Sequence, residues 1–266
     1  MGYNYKIIRS GNDLEVWKYE KQILTGVKLE NVSKKKQSRR KFEDLSDDEK
    51  DNSVKRMDKT RKNAKWELRR LVQANASNKM SFLTLTTKEN IQDRNEFNTM
   101  LIQYISRLTY KVFKTKKRVM KYICVLERQT RGAYHAHLIL FDIPFISFNV
   151  LHDTWGHGGV RINKIDGLDS INNVSRYVVK YMEKGIQQEL ERTYGKKSYT
   201  ASRNLRKPEV VKLYTHKDFD EMFDGEIVYE ATYVAKAYEN GEFVDNNVVY
   251  HKYQLRSEGK DDNAGI

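Results

Sequence analysis

Between residues 80 and 184 the apolar residues alternate between period two and period 3.6, and that succession limits the chain to few architectures. SFLTLTT at 81–87 is rich in β-branched and aromatic residues and predicts a strand. DRNEFNTMLIQYISRLTYKVF at 93–113 carries Phe97, Met100, Leu101, Tyr104, Ile105, Leu108 and Val112 at helical spacing, with Asp93 and Glu96 positioned as an N-terminal cap pair. Strands are expected next at YICVLE (122–127) and YHAHLIL (134–140), then a short helix near 148–154. A strand at GVRINKI (159–165) and a helix from about 169 to 184 complete the series. The order β-α-β-β-α-β predicts an α+β, ferredoxin-like antiparallel sheet with helices packed on one face.

The flanks differ from this core. Residues 1–30 contain YKIIRSGNDLEVWKY at 5–19, two β-rich runs broken by Ser-Gly-Asn-Asp, and read as a hairpin. Residues 31–79 carry KKKQSRRK at 34–41 and continue, after Ser46, as a charged pattern that predicts a helix and is poor in aliphatics until Trp66, Leu68 and Leu71. Residues 31–80 hold 16 lysines and arginines against 8 acids, within a chain of formal net charge +13. That surplus points to an anionic partner, nucleic acid or an acidic surface. The core is expected over 80–204 and a β-rich extension over 205–266, with a hairpin turn at Asn240-Gly241. One cysteine, Cys124, excludes an internal disulfide and fits a reducing cytoplasm. No apolar run approaches the roughly 20 residues that span a bilayer, and the first residues lack a signal peptide's apolar centre, so a cytoplasmic protein without membrane contact is expected.

In the strand YHAHLIL, side chains alternate faces. Ala136, Leu138 and Leu140 make an apolar side suited to helices, and His135, His137 and Ile139 share the other. The preceding strand ends at Glu127, and RQTRGA turns the chain back. If the register sets position 127 beside 135, the carboxylate joins the two imidazoles at about 5–8 Å. Two imidazoles and one carboxylate with open positions suit a divalent metal that must also bind substrate and water. The helix DSINNVSRYVVKYMEKG sets Ile171, Val174, Val178 and Met182 in an apolar stripe. Tyr177 and Tyr181 edge that stripe, and Lys180 and Lys184 lie just outside them. A phenol beside a metal-polarised phosphate is a nucleophile, and a neighbouring ammonium favours its phenolate and holds the phosphate. Tyr233 and Lys236 repeat the Tyr-x-x-Lys spacing but fall in a predicted strand, where they face opposite ways.

In order, FLTLTT (82–87), ERQTRGAYHAH (127–137) and YVVKYMEKG (177–185) resemble the three motifs of the HUH endonucleases, the rolling-circle replication initiators. The likeness is closest to phage-type and small-plasmid initiators with two tyrosines on the third-motif helix. It covers roughly 80–208, including WGHGGVRINKI (155–165) and SRNLRKP (202–208). The resemblance implies a five-stranded antiparallel sheet; the basic helical insertion at 31–79 matches none of its motifs and, like the extra strands at both ends, is read from the residues alone. The resemblance also implies Mg²⁺ or Mn²⁺ on Glu127, His135 and His137, Tyr177 and Tyr181 as nucleophiles, and Lys180 as a helper. The implied reaction nicks and rejoins one strand of origin DNA through a 5′-phosphotyrosine ester. Without a GxxxxGK[ST] phosphate loop in the sequence, unwinding is expected from a host helicase, with a host polymerase extending the free 3′-OH. A single-strand transposase shares this chemistry. A mobilisation relaxase does too, but usually carries its tyrosine before the histidine pair. An RNA-binding sheet domain of the same strand order would present aromatics where this chain offers Thr84, Thr86, His135 and His137.

Overall fold

The computed structural model describes residues 2–25, 40, 42–165, 173, 174, 176, 178–180, 197–223, 225–239 and 241–255. Two compact units are present, one formed by 38–206 and the other by 1–37 together with 207–266.

The 38–206 unit is built on five antiparallel strands. These are β3 (Met80–Leu85), β4 (Lys121–Arg128), β5 (Tyr134–Phe141), β6 (Val160–Ile165) and the short β7 (Thr200–Ala201), in the order β6-β3-β5-β4-β7. Between β3 and β4 runs α2 (Arg94–Phe113), and between β5 and β6 runs α3 (Phe148–Trp155). Asp93 starts α2 by accepting from the backbone N–H groups of Asn95 and Glu96, which satisfies two of the donors a helix start leaves unpaired. The apolar stripe of α2 buries Phe97, Leu101, Tyr104 and Leu108, joined by Leu151 and Trp155 of α3. They pack on Leu83, Leu85, Cys124, Ala136, Leu138 and Leu140, the apolar side that alternation assigns to the sheet.

The opposite side is covered too, which corrects the expectation that helices leave the histidine face bare. Leu68 and Val72 of α1 (Asp47–Ala74), together with Val178 and Val179, pack on Phe82, Ile123, Val125, Ile139 and Phe141. α1 opens with a capping box, the Ser46 hydroxyl accepting from Glu49 N–H and the Glu49 carboxylate from Ser46 N–H. Its N-terminal half is highly charged, so the helix meets the core only through its last turns. The histidine face is thus apolar and covered toward Phe141, and polar toward Thr84, His135 and Glu127. Residues 173, 174, 176 and 178–180 are helical, in agreement with the helix expected there, and its other residues lie outside the described ones.

In the second unit, β1 (Gly2–Ser10) and β2 (Asp13–Leu24) form the N-terminal hairpin, turning at Gly11, whose φ is +61°. β8 (Glu209–Leu213), β9 (Glu226–Glu239) and β10 (Glu242–Gln254) add to it, giving the order β8-β1-β2-β10-β9. Tyr5, Leu14, Val16 and Tyr253 form a small core under Phe219 of the one-turn helix α4 (Phe219–Met222). Tyr233 and Lys236 lie in β9, where the lysine pairs with Asp245 across the hairpin. Of the turn expected at Asn240-Gly241, Asn240 lies outside the described residues. No helix among the described residues is long and apolar enough to cross a membrane.

Candidate metal centre

The turn between β4 and β5 brings the carboxylate to the imidazoles. Gln129 N–H donates to the Ala133 carbonyl at 2.9 Å, and Gly132 N–H donates to the Gln129 carbonyl at 2.8 Å. Gly132 has φ +94°, a backbone conformation that L side chains rarely adopt. The closed turn fixes the register, setting Glu127 opposite His135 and Val125 opposite His137. On the other side of β5, β3 sets Thr84 opposite His137.

His137 is held on three sides and is 4% exposed. Its Nε2 lies 2.9 Å from Glu127 Oε2, its Nδ1 lies 3.3 Å from Thr84 Oγ1, and its ring stacks on Phe82 at a centroid distance of 5.9 Å. His135 is more open and lines a shallow cleft with Thr86, Gln129, Thr130 and Arg131. Burial lowers the His135 pKa below the ordinary imidazole value; His137 and Arg131 add to the lowering, and Glu127 opposes it. The ring therefore keeps a lone pair available at lower pH than a free histidine does. Arg131 is fixed beside it, Nη2 donating to the Thr87 carbonyl at 2.7 Å and Nε to Gln129 Oε1 at 3.0 Å.

The end of β3 is locked by the loop after α3. Trp155 is fully buried, and its Nε1–H donates to the Thr86 carbonyl at 2.7 Å. Gly158 passes so close that a Cβ there would meet the Thr86 carbonyl oxygen at 2.5 Å. The WGHGG segment thus holds the strand end that carries Thr84 and Thr86.

One oxygen or nitrogen from each of Glu127, His135 and His137 lies within 4.8 Å of the others. Ligands about 2.1 Å from an ion sit about 3 Å apart when adjacent in an octahedron. The 2.9 Å between Glu127 Oε2 and His137 Nε2 already has that length. The donors present can hold a divalent cation with further coordination positions open. Thr84 fits such a centre, since a ligating histidine usually offers its second ring nitrogen to a partner.

Sequence reasoning set Glu127, His135 and His137 on one face, and they meet there. Lys180 is exposed on the helical stretch whose Val178 and Val179 are buried. Tyr177, Tyr181 and Lys184 lie outside the described residues. Alternation puts Thr84 on the histidine face but says nothing of its bond to Nδ1, which depends on pairing between residues 53 apart. The stack on Phe82, the Trp155 lock and the setting of Arg131 carry no local signal either, because each joins separate elements.

No curated protein and no solved structure matches this chain. Residues 80–186 match the family model described as Replication-associated protein ORF2/G2P, a segment running from the first residue of β3 past the helical stretch at 178–180. It contains every residue of the triad, so Glu127, His135 and His137 lie within the segment that is similar to that family.

Proposed function

We propose that this protein initiates rolling-circle replication of a plasmid or phage by nicking and rejoining one strand of origin DNA. The observation that carries the proposal is the convergence of Glu127, His135 and His137 within a segment that matches a replication-associated family. The same donor types serve iron in oxygenases, but a replication-associated protein handles phosphodiesters, and hard cations such as Mg²⁺ or Mn²⁺ suit phosphate oxygens.

Glu127, His135 and His137 would hold the ion, which would supply Lewis-acid stabilisation of charge on the scissile phosphate. The rest falls to the chain's own groups. His137 is oriented by Phe82 and Thr84, and Glu127 by its strand register with His135. Arg131, tethered at Nε and Nη2, supplies a fixed positive charge beside His135. Tyr177 or Tyr181 is the nucleophile in this reading. Its phenolate oxygen bonds to phosphorus, the P–O3′ bond breaks, and the departing oxygen takes up a proton to become a 3′-OH. The 5′ end remains as a phosphotyrosine ester, and attack by a 3′-OH reverses the step. Lys180 and Lys184 favour the phenolate form and neutralise phosphate. A host helicase and polymerase complete the process.

The test is incubation of the full chain with a single-stranded origin oligonucleotide in Mn²⁺ or EDTA, followed by denaturing electrophoresis. A covalent adduct with Mn²⁺, absent with EDTA and absent in the His135→Ala/His137→Ala variant, supports the proposal. An adduct of equal yield in that folded variant rejects it.

A further inference from the structure

α1 contributes only Leu68 and Val72 to the buried core, and its remaining length carries an ordered row of cations. At about 100° per residue, Lys55, Lys59, Lys62, Trp66 and Arg69 fall within roughly 40° of a common line. The row is about 21 Å long at 1.5 Å per residue. The three lysines are exposed, and Trp66 retains 49% of its surface to solvent. The Arg69 guanidinium lies over the Trp66 ring at 5.3 Å. Asp47, Asp48 and Glu49 occupy the first turn, where they complement the positive end of the helix; Asp51 precedes Lys55 by one turn on the same face, and from Lys55 to Arg69 the only acids are Asp58 and Glu67, about 60° and 120° from the line of the row.

A solvated charged face explains lysines, but not a half-exposed tryptophan at the end of the row. Trp66 lies about 160° round the helix from the buried Leu68, so the indole is turned away from the core and toward solvent. Cations that follow a backbone, ended by an aromatic ring with an arginine over it, match what a single nucleic-acid strand requires. Phosphates follow the charge, and an unpaired base stacks on the ring. Duplex DNA satisfies the lysines but has no unstacked base for Trp66.

We infer that the Lys55–Lys59–Lys62–Trp66–Arg69 face of α1 is a docking surface for single-stranded DNA, with one base stacked on Trp66. The inference rests on the replication reading above, because opening an origin is what exposes an unpaired strand.

The test measures binding of the full chain to a fluorescein-labelled dT oligonucleotide and to a hairpin duplex of matched length, in EDTA, over a range of salt. Trp66→Ala is expected to weaken dT binding about tenfold with an unchanged salt slope, and duplex binding less than twofold. Replacing Lys55, Lys59 and Lys62 by glutamine should lower the salt slope on dT by about 2. In the wild type, dT should quench tryptophan fluorescence, and Trp66→Phe should remove most of that quenching while retaining most of the affinity. Quenching that persists in Trp66→Phe overturns the inference even if Trp66→Ala does not fold. Equal losses on dT and duplex, or an unchanged slope in the lysine variant, also overturn it. Covalent adduct formation in Mn²⁺ is scored separately on the same proteins. Adduct with normal dT binding by folded Trp66→Ala rejects the docking surface alone; the expected binding changes without any wild-type adduct reject the nicking reaction alone.

Discussion

Replacing Thr84 by valine removes one hydroxyl and keeps the shape and strand preference of the side chain. The consequence follows from what His137 must do in two states. Without metal, Nε2–H donates to Glu127 Oε2, 2.9 Å away, and Nδ1 accepts from the Thr84 hydroxyl at 3.3 Å. When Nε2 ligates a cation, its proton has to sit on Nδ1 instead, and Nδ1–H then donates to Thr84 Oγ1. A hydroxyl serves both arrangements because it rotates between donor and acceptor. A methyl serves neither, but only the second leaves a buried N–H without a partner, since His137 is 4% exposed. An unpaired buried donor costs about 1–3 kcal/mol. The 3.3 Å separation lies at the long end of the hydrogen-bond range, which selects the lower part, about 1–1.5 kcal/mol. Mn²⁺ affinity should therefore fall roughly five- to twelvefold. Stability in EDTA should change by less than about 1 kcal/mol, because Thr84 is half-buried and valine suits a strand. Isothermal titration with Mn²⁺ measures the first and urea unfolding the second. Thr84→Ser should bind as wild type does. Unchanged affinity in Thr84→Val, or equal losses in the valine and serine variants, would refute the tautomer argument.

Other consequences are open to direct measurement. Tyr177→Phe and Tyr181→Phe should each still form some covalent adduct with an origin oligonucleotide and the double variant none, if two nucleophiles one helical turn apart alternate. Loss of all adduct in Tyr177→Phe alone, with Tyr181→Phe unaffected, would leave a single nucleophile. Asp142 has its pKa lowered, chiefly by the hydrogen bond from Lys121, with burial opposing. Its stabilising contribution is thus present above the ordinary carboxylate range, near 4, and is lost as pH falls from there through the lowered value. The stability gap between wild type and Asp142→Asn should close in acid, and a gap that widens below pH 4 contradicts this. Burial pushes the Cys124 thiol up to about 12, so a thiol reagent at pH 8 should modify it only on the unfolding timescale. Stoichiometric labelling within seconds under native conditions would show the site to be open.

The core was readable wherever one side chain's neighbours are set by period alone. Phe97, Leu101, Tyr104 and Leu108 are buried as their spacing requires, and Ala136, Leu138 and Leu140 face them by alternation. The triad needed one further assumption, the β4–β5 register, and a short antiparallel turn leaves few choices for it. What escaped depends on contacts between distant segments. The burial of Phe82, Ile123 and Ile139 under Leu68, Val72 and Val178 was hidden because α1 is so charged that its two buried aliphatics barely register. The pairing of Tyr5 with Leu213 joins residues whose local patterns name no partner.

The pairing of β1 with β8 and of β2 with β10 has a consequence for how the chain is made. As the polypeptide leaves a ribosome, β1 and β2 emerge before β8 and β10, and an isolated two-stranded hairpin is marginal in water. Their partners follow only after residues 38–206 have been synthesised. At about 5–20 residues per second, that interval lasts roughly 10–30 seconds. The nested unit has time to fold, since its strand pairs all lie within its own sequence. Throughout that interval both edges of the early hairpin lack the strands that later flank them, and unpaired edges invite pairing between nascent chains. Slow translation or a stalled ribosome before β8 is made should therefore be hazardous to this protein in a way that stalling inside β9 is not, because β8 by then has covered one edge.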